Sequence, residues 1–335
     1  KAQVCAIETL HEAWRKVALN QGAAGVDRVT IRDFAVNAAK RLDALRHSLL
    51  RGTYEPLPPR LVALPKRGGG GVRTIAILTV QDRILQEALR LVLMPLVEPY
   101  LASCAYAYRS GVSAHHALRA VSAALARGLT WVAETDIADY FDSISHRVLL
   151  DSLGTLVPEA FCLTLIAKCL AACAVHPGLG IAQGAATSPL FSNLYLAAFD
   201  QHMLEGGWNP VRYGDDMLFL CASRNRAQAA LLEAEGFLSS KLALTLKPEK
   251  TAVIPLRVGF TFLGFRFDAA GRRASSEAVD VLQQRLREAK PGEADAVRRG
   301  WANYFGEEAA DALADEMQSG DEDGDVLPDT VGDAE

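Results

Sequence analysis

Residues 211–221 place two adjacent acidic side chains between two short apolar runs. The runs at 212–213 and 217–221 are aromatic or aliphatic with few helix or strand breakers, so they predict two strands. Gly214 permits a tight reversal, and Asp215 and Asp216 are therefore expected at or near the tip of a hairpin. Two carboxylates this close repel unless they share a proton or a cation. The segment indicates either a solvated turn or a divalent-metal site, and a metal site requires a third carboxylate.

A second segment supplies that third carboxylate. Residues 130–136 predict a strand that ends at Asp136. If this strand lies beside the hairpin, three hard oxygen donors meet in one place. Such donors suit Mg²⁺, which retains water molecules and takes further ligands from substrate phosphates. Two such ions would activate a 3′-hydroxyl and stabilise a leaving pyrophosphate.

Further motifs follow one another along residues 22–305. They are Gly-Ala-Ala-Gly-Val-Asp at 22–27, Leu-Pro-Lys at 64–66, the run from Arg73 to Gln86, residues 103–113, residues 136–142, Gln-Gly at 183–184 with Ser-Pro at 188–189 and Asn193, Tyr-Gly-Asp-Asp at 213–216, residues 246–251, Phe-Leu-Gly at 262–264, and residues 299–305. This ordered set resembles the reverse transcriptases of the bacterial group II intron-like lineage. The resemblance implies an α+β right-hand polymerase with fingers, a palm of antiparallel sheet plus helices, and a short helical thumb. It also implies RNA-directed DNA polymerase activity, a nucleotidyl transfer.

The resemblance assigns a role to each candidate site residue. Asp136, Asp215 and Asp216 are the catalytic carboxylates, and with Ile137 they form the metal-binding set for two Mg²⁺ ions, for which Mn²⁺ can substitute. The nucleotide-binding residues are Lys66 and Arg73 on the triphosphate, Phe141 as a barrier to the ribose 2′-hydroxyl, Gln183 at the sugar or base, and Lys250 as a proton donor to pyrophosphate. The primer grip is Phe262, Leu263 and Gly264.

Simpler interpretations remain open at this stage. Lys66, Arg73 and Lys250 are equally compatible with solvated charges, and Phe141 with a core aromatic. Residues 80–97 predict a helix, on which Arg83 and Gln86 lie three residues apart on one face and fit either surface positions or template contacts. Residues 260–267 alternate aromatic side chains as a strand does, with Gly264 where a primer backbone could approach.

The sequence predicts four regions. These are an N-terminal extension with fingers at 1–125, a palm at 126–271 that includes finger-side helices at 145–180, an abbreviated thumb at 272–305, and an acidic tail or linker at 306–335 that is expected to be disordered.

The net charge of −5 is unfavourable for binding the negatively charged phosphates of nucleic acid. The segment 306–335, however, holds twelve acidic residues and no Lys or Arg, which leaves 35 basic and 28 acidic residues before it. Residues 1–305 thus carry +7, as phosphate binding favours. No apolar run reaches the length of a membrane span and no signal peptide is visible, so a cytoplasmic protein without a membrane partner is expected.

Several cellular uses fit this chemistry. The expected partners are an RNA template, a DNA or RNA primer, and dNTPs. Within the lineage the chain looks most like CRISPR-associated reverse transcriptases, which are joined to a spacer integrase and supply DNA copies of RNA in antiviral defence. The alternatives are a group II intron-encoded reverse transcriptase, an RNA-dependent RNA polymerase, and a non-catalytic nucleic-acid-binding relic.

Overall fold

The computed structural model describes residues 1–65, 72–157, 159–290 and 292–306. The α-helices there are α1 Ile7–Leu19, α2 Ile31–Val36, α3 Ala38–Arg51, α4 Val80–Val97, α5 Ala114–Ala126, α6 Tyr140–Ser143, α7 His146–Leu156, α8 Ala160–Cys173, α9 Ser188–Glu205, α10 Arg224–Leu242, α11 Ser276–Glu288 and α12 Ala294–Phe305. The strands are β1 Arg60–Pro65, β2 Val72–Ile77, β3 Trp131–Asp136, β4 Pro210–Tyr213, β5 Asp216–Cys221, β6 Ala252–Pro255, β7 Phe260–Phe262, β8 Phe265–Asp268 and β9 Gly271–Ala274. Contacts divide the chain into two units, Lys1–Val253 and Ile254–Glu335.

The first unit is built around strands β4, β5 and β3, in which β5 is antiparallel to both neighbours; the strand order of the whole sheet is β4-β5-β3-β6. Strand β5 runs in the middle and is buried along almost its whole length, from Met217 to Cys221. Helix α9 covers the sheet and is apolar around most of its circumference, as expected of a helix that is enclosed by other elements. Burial of each large side chain here, such as Phe199 or Phe219, contributes about 1.5–3 kcal/mol.

Helix α4 spans the predicted residues 80–97. Its N-cap is Thr79, whose hydroxyl accepts a hydrogen bond from the backbone N–H of Asp82. The Asp82 carboxylate is itself buried and accepts hydrogen bonds from Tyr54 Oη at 2.7 Å and Thr79 Oγ1 at 2.6 Å. Helix α1 packs along α4.

The polar pair Arg83 and Gln86 on α4 makes hydrogen bonds within the protein. Gln86 is buried and accepts a hydrogen bond from the Thr187 hydroxyl. Arg83 donates to the backbone carbonyls of Leu78 and Ala23 and so holds the 22–25 loop against the start of α4. In this structure both side chains are tied to the protein itself.

Strands β1 and β2 are antiparallel, and Pro65 pairs with Val72. Lys66 and the four glycines that follow residue 67 lie outside the described residues. The acidic segment after Gly306 lies outside them as well. In the described part of the chain, no helix is long and apolar enough to cross a membrane.

The second unit corrects one prediction. Residues 260–267 form two short antiparallel strands, β7 and β8, instead of one strand. The reversal falls at Leu263 and Gly264, whose φ values are +50° and +80°. Strand β9 completes a three-stranded sheet. The aromatic alternation persists across a two-residue turn, which is why periodicity by itself suggested a continuous strand.

Candidate catalytic centre

The two adjacent aspartates lie at the end of the β4–β5 hairpin. Tyr213 pairs with Asp216, which leaves Gly214 and Asp215 as a two-residue loop. Gly214 has φ +72°, and Asp215 is not among the residues with positive φ. This is the pattern of a type II′ turn, which requires Gly at its first central position and matches the twist of the flanking strands.

Strand β3 brings the third carboxylate to the same place. Asp136 is the direct cross-strand partner of Asp216 in the antiparallel β3–β5 pair. Such partners have Cβ atoms roughly 4.5–5.5 Å apart. The carboxylate of Asp136 also interacts with that of Asp215. The structure therefore assembles three acidic side chains from two segments that are about 80 residues apart in sequence.

Two lysines approach the centre from the other side of β3. Lys247 donates its backbone N–H to the carbonyl of Asp136 at 2.8 Å, and its Nζ lies 3.2 Å from Oδ1 of the same residue. Lys250 follows on a short 3₁₀ turn and donates from Nζ to Oδ2 of Asp136 at 2.8 Å. The centre is thus acidic at the hairpin and cationic beyond β3.

The pKa values of the three carboxyls record this asymmetry. Burial raises the pKa of Asp216 to about 7, with Asp136 and Asp215 adding to the effect by repulsion. Burial, and next the charge of Asp136, also raises the pKa of Asp215. Burial acts in the same direction at Asp136 and is the largest single effect, but the hydrogen bonds from Lys250 and Asp215 and the charges of the two lysines together outweigh it, so the pKa of Asp136 is lowered. The carboxylates of Asp215 and Asp216 therefore lack sufficient positive charge nearby.

The donor set fits divalent cations. Oδ1 of Asp136 is buried and has no hydrogen-bond partner, because the nearby Lys247 ammonium is not in hydrogen-bonding geometry. A cation would satisfy this atom and relieve the repulsion that raises the other two pKa values. Among the described residues, however, no group of three or more His, Cys, Asp or Glu side chains is already arranged around a metal position. The lysines supply the counter-charge to Asp136 in this arrangement.

A buried ion pair between Arg212 and Asp200 stabilises the β4–β5 hairpin. Arg212 and Asp200 are each about 1% exposed, and Nε of Arg212 lies 2.7 Å from Oδ1 of Asp200. Nη1 of Arg212 donates to the carbonyl of Gly214 at 2.8 Å and to the side-chain oxygen of Asn193 at 3.1 Å. Although burial opposes it, the Asp200 carboxylate raises the pKa of Arg212, which therefore stays charged. This network fastens the turn to α9.

Sequence reasoning missed Arg212 and Asp200 as a pair. A signal was present, because Arg212 interrupts an apolar strand and a charge that is buried in a sheet requires a partner. The sequence could not identify that partner. Asn193 also ties α9 to the segment before Tyr108, because its Nδ2 donates to the carbonyl of Ala107 at 2.7 Å.

Phe141 and Gln183 lie on the first unit as well. Phe141 is half-buried beside the core, whereas Tyr140 is fully buried and donates to the carbonyl of Ser192 at 2.5 Å. The backbone carbonyl of Gln183 accepts a hydrogen bond from Ala76 of β2 at 2.8 Å. Arg73 lies on β2, and Lys66 lies outside the described residues.

Gly184 is required by packing within the protein. A Cβ at this position would meet the carbonyl oxygen of Ala76 at 2.9 Å. Its φ of +117° also excludes other residues. The glycine therefore permits the loop to lie against β2.

The predicted primer grip lies at the β7–β8 turn of the second unit. Tyr304 of α12 donates from Oη to the carbonyl of Leu263 at 2.9 Å. A Cβ at Gly264 would come 3.2 Å from the ring of Phe305. In this structure the Phe305 ring of α12 lies at Gly264, the position at which the sequence predicts approach of a primer backbone.

Comparison with known proteins places these features in a family. Residues 64–267 match the family model described as reverse transcriptase (RNA-dependent DNA polymerase). Protein YkfC of Escherichia coli (strain K12) is 32% identical over 306 residues, which cover 77% of this chain and 80% of YkfC. The group II intron-encoded protein LtrA of Lactococcus lactis subsp. cremoris is 29% identical over 201 residues, which cover 58% of this chain and 33% of LtrA.

A solved structure adds a likeness in fold. Apo telomerase from Candida tropicalis superposes with a TM-score of 0.52 over 67% of this chain and 50% of that one, at 12% identity. The family model covers more than half of the chain, and its range includes Asp136, Asp215 and Asp216. The chain therefore belongs to the reverse transcriptase family, the RNA-directed DNA polymerases, and is similar to the group II intron-encoded members.

Proposed function

We propose that this protein adds deoxynucleotides to a primer 3′-hydroxyl under the direction of an RNA template, with two divalent metal ions held by its three aspartates. The observation that supports the metal site is the cross-strand pairing of Asp136 with Asp216, together with the interaction of Asp215 with Asp136. Ile137, which follows Asp136 at the end of β3, belongs to the proposed metal-binding set. Mg²⁺ is the proposed ion, because all the side-chain donors are carboxylate oxygens.

The metal ions and the basic side chains have separate roles in this proposal. Bound ions would lower the pKa of the primer hydroxyl and neutralise charge on the leaving pyrophosphate. Lys250, and Lys66 and Arg73 from the β1–β2 hairpin, neutralise the triphosphate. When a nucleotide binds, the exposed Lys250 side chain moves from Asp136 to the triphosphate and donates a proton to it.

Phe141 and Gln183 are the residues that recognise the sugar of the incoming nucleotide in this proposal. Phe141 is placed by the buried Tyr140, which anchors α6 to α9 through Ser192. Its half-buried ring limits the room for a 2′-hydroxyl. Gln183 contacts the sugar or base, while its backbone is held by β2. In the second unit, Phe262, Leu263 and Gly264 form the primer grip.

Primer extension on an RNA template tests the proposal. Wild-type protein with Mg²⁺ and dNTPs should lengthen the primer, and Asp215→Asn should stop synthesis while the protein remains folded. Synthesis by the folded Asp215→Asn variant would reject the metal assignment. A wild-type protein that extends primers equally well with ribonucleotides would favour RNA synthesis instead.

The cellular use is a second question. The prediction from the sequence is a supply of complementary DNA for CRISPR spacer acquisition from RNA, with a fused or associated integrase as partner. The similarity to LtrA favours the intron-encoded alternative, although the chain spans one third of that protein. Sequencing of CRISPR arrays from cells that express the intact gene separates the two uses, because acquisition of RNA-derived spacers is expected for the first one alone.

A further inference from the structure

Tyr108 has an unusual backbone for an aromatic residue. Its φ is +61°, in the left-handed region that side chains other than Gly, Asn and Asp rarely adopt. Its side chain is nevertheless about half exposed, at 48%. A strained residue persists when the surrounding structure determines it, and such residues cluster at functional sites.

The surrounding structure does hold this segment. The carbonyl of Ala107 accepts from Asn193, and Arg109 donates to the carbonyls of Ala102 and Ala105 at 2.8 and 3.0 Å. Arg109 also pairs with Glu98 at 2.8 Å. Tyr108 thus sits between two anchored neighbours, so its side chain is directed by the fold.

The ring lies beside the catalytic turn. A Cβ on Gly214 would come 3.8 Å from the hydroxyl of Tyr108 and 3.9 Å from its Cε2 atom. The segment that carries Tyr108 also runs along the outer edge of β4, since Arg212 donates its N–H to Cys104 and accepts from the N–H of Tyr106. Tyr108 therefore flanks the turn on the side away from β3.

The two sides of the centre differ in charge. Lys247 and Lys250 lie beyond β3 and form ion pairs with Asp136. On this side they would neutralise the phosphates of an incoming nucleotide. Beyond β4 stands a half-exposed aromatic ring. The strand that carries the reacting hydroxyl must reach the same carboxylates from another direction, and the ring offers an apolar surface for its terminal sugar and base.

We propose that Tyr108 is a primer-positioning residue, whose ring packs against the 3′-terminal nucleotide of the primer next to Gly214 and Asp215. This inference rests on the proposed polymerase function. It assigns the β4 edge of the turn to the primer end and the β3 edge to the triphosphate.

Three variants separate this role from a structural one. Tyr108→Gly removes the ring, while Gly adopts φ +61° without strain, so stability to urea should be kept or raised. Tyr108→Phe retains the ring. Asn209→Gly is the matched control, because Asn209 has φ +47°, is exposed, and lies at the opposite end of β4.

Steady-state primer extension supplies the main measurement. For Tyr108→Gly we expect the KM for primer to rise about tenfold or more, with the KM for dNTP within about twofold of wild type. Tyr108→Phe and Asn209→Gly should both match wild type. An unchanged KM for primer in Tyr108→Gly, or a rise in the KM for dNTP instead, would overturn the assignment.

Crosslinking supplies a readout that does not depend on turnover. A photoreactive phenylalanine analogue at position 108 should label the last nucleotide of the primer in the complex with template. Labelling confined to the template or to the nucleotide would contradict the proposal. If the wild-type protein itself failed to extend primers, the proposed function would be rejected. If the wild-type protein extended primers and substitution of Tyr108 left the KM for primer unchanged, only the inference about Tyr108 would be rejected.

Discussion

The ammonium group of Lys250 lies 2.8 Å from Oδ2 of Asp136, although the lysine side chain is 61% exposed and the aspartate side chain only 10%. An exposed cation therefore lies against a buried carboxylate of the proposed metal site. The hydrogen bond that Lys250 donates to this carboxylate also raises the pKa of Lys250, which keeps the lysine protonated. Asp136 must exchange this partner, wholly or in part, when divalent ions bind.

Removal of Lys250 should strengthen metal binding and weaken catalysis. In Lys250→Met the positive charge that repels a divalent cation is lost, so the Kd for Mn²⁺ in the absence of nucleotide should fall about threefold or more. The rate of primer extension should also fall, because the triphosphate loses a neutralising group. Metal titration followed by electron paramagnetic resonance measures the first effect. Lys241→Met, at an exposed position near the end of α10, is the control. An unchanged Kd for Mn²⁺ would show that Lys250 does not compete with the metal.

Asp215→Asn should uncouple stability from Mg²⁺. Wild-type protein gains about 1.4 kcal/mol of unfolding free energy at a Mg²⁺ concentration ten times its Kd. The variant should gain little, yet in metal-free buffer it should be at least as stable as wild type, because one of three repelling carboxylates is gone. Thermal unfolding with and without Mg²⁺ provides the test. Asp151→Asn, an exposed site on α7, should respond to Mg²⁺ as wild type does. Equal Mg²⁺ stabilisation of the Asp215→Asn protein would place the ions elsewhere.

Phe141→Ala should admit ribonucleotides. The ratio of kcat/KM for dNTP over rNTP should drop about tenfold or more, since the barrier to the 2′-hydroxyl is removed, at a stability cost of about 1–3 kcal/mol for a half-buried ring. Single-nucleotide incorporation with each substrate measures the ratio. Tyr140→Phe is the neighbouring control, which loses the hydrogen bond to Ser192 and about 1 kcal/mol of stability with its sugar selection intact. A constant ratio in Phe141→Ala would reject the barrier.

The Arg212–Asp200 pair should show strong coupling. Arg212→Met leaves the Asp200 carboxylate buried without a partner and should lower the unfolding free energy by about 3–5 kcal/mol. The double variant Arg212→Met/Asp200→Leu removes both charges and should recover much of that loss. Urea denaturation of the two single variants and the double variant gives the coupling energy. Additive losses would mean that the two side chains contribute independently.

Gly264→Ala should perturb the predicted primer grip more than Gly271→Ala. Both glycines have positive φ, at +80° and +119°, so each substitution carries backbone strain. A Cβ at Gly264 additionally meets the Phe305 ring at 3.2 Å, whereas a Cβ at Gly271 meets nothing within 4 Å. Hydrogen exchange of the amides in β7 and β8 should therefore speed up more in Gly264→Ala, and equal rates would show that the ring adapts freely.

Local patterns were sufficient for most of the secondary structure. Helix α4 begins and ends at the predicted residues, because Thr79 is a strong N-cap and the apolar repeat is continuous. The β4–β5 hairpin also followed from Gly214 and the flanking apolar runs. The β7–β8 region was predicted wrongly as one strand, since alternation of aromatics does not reveal a two-residue turn.

The sequence by itself determined the family, the hairpin with its two aspartates, and the need for a third carboxylate, because turn chemistry and side-chain period are local properties. Only the tertiary structure decided which side chains share a neighbourhood. It paired Asp136 with Asp216, set two lysines on one side of them and Tyr108 on the other, and matched Arg212 with Asp200. Contacts between residues that are distant in sequence arise from packing of the whole sheet against its helices, and no local pattern in the chain encodes them.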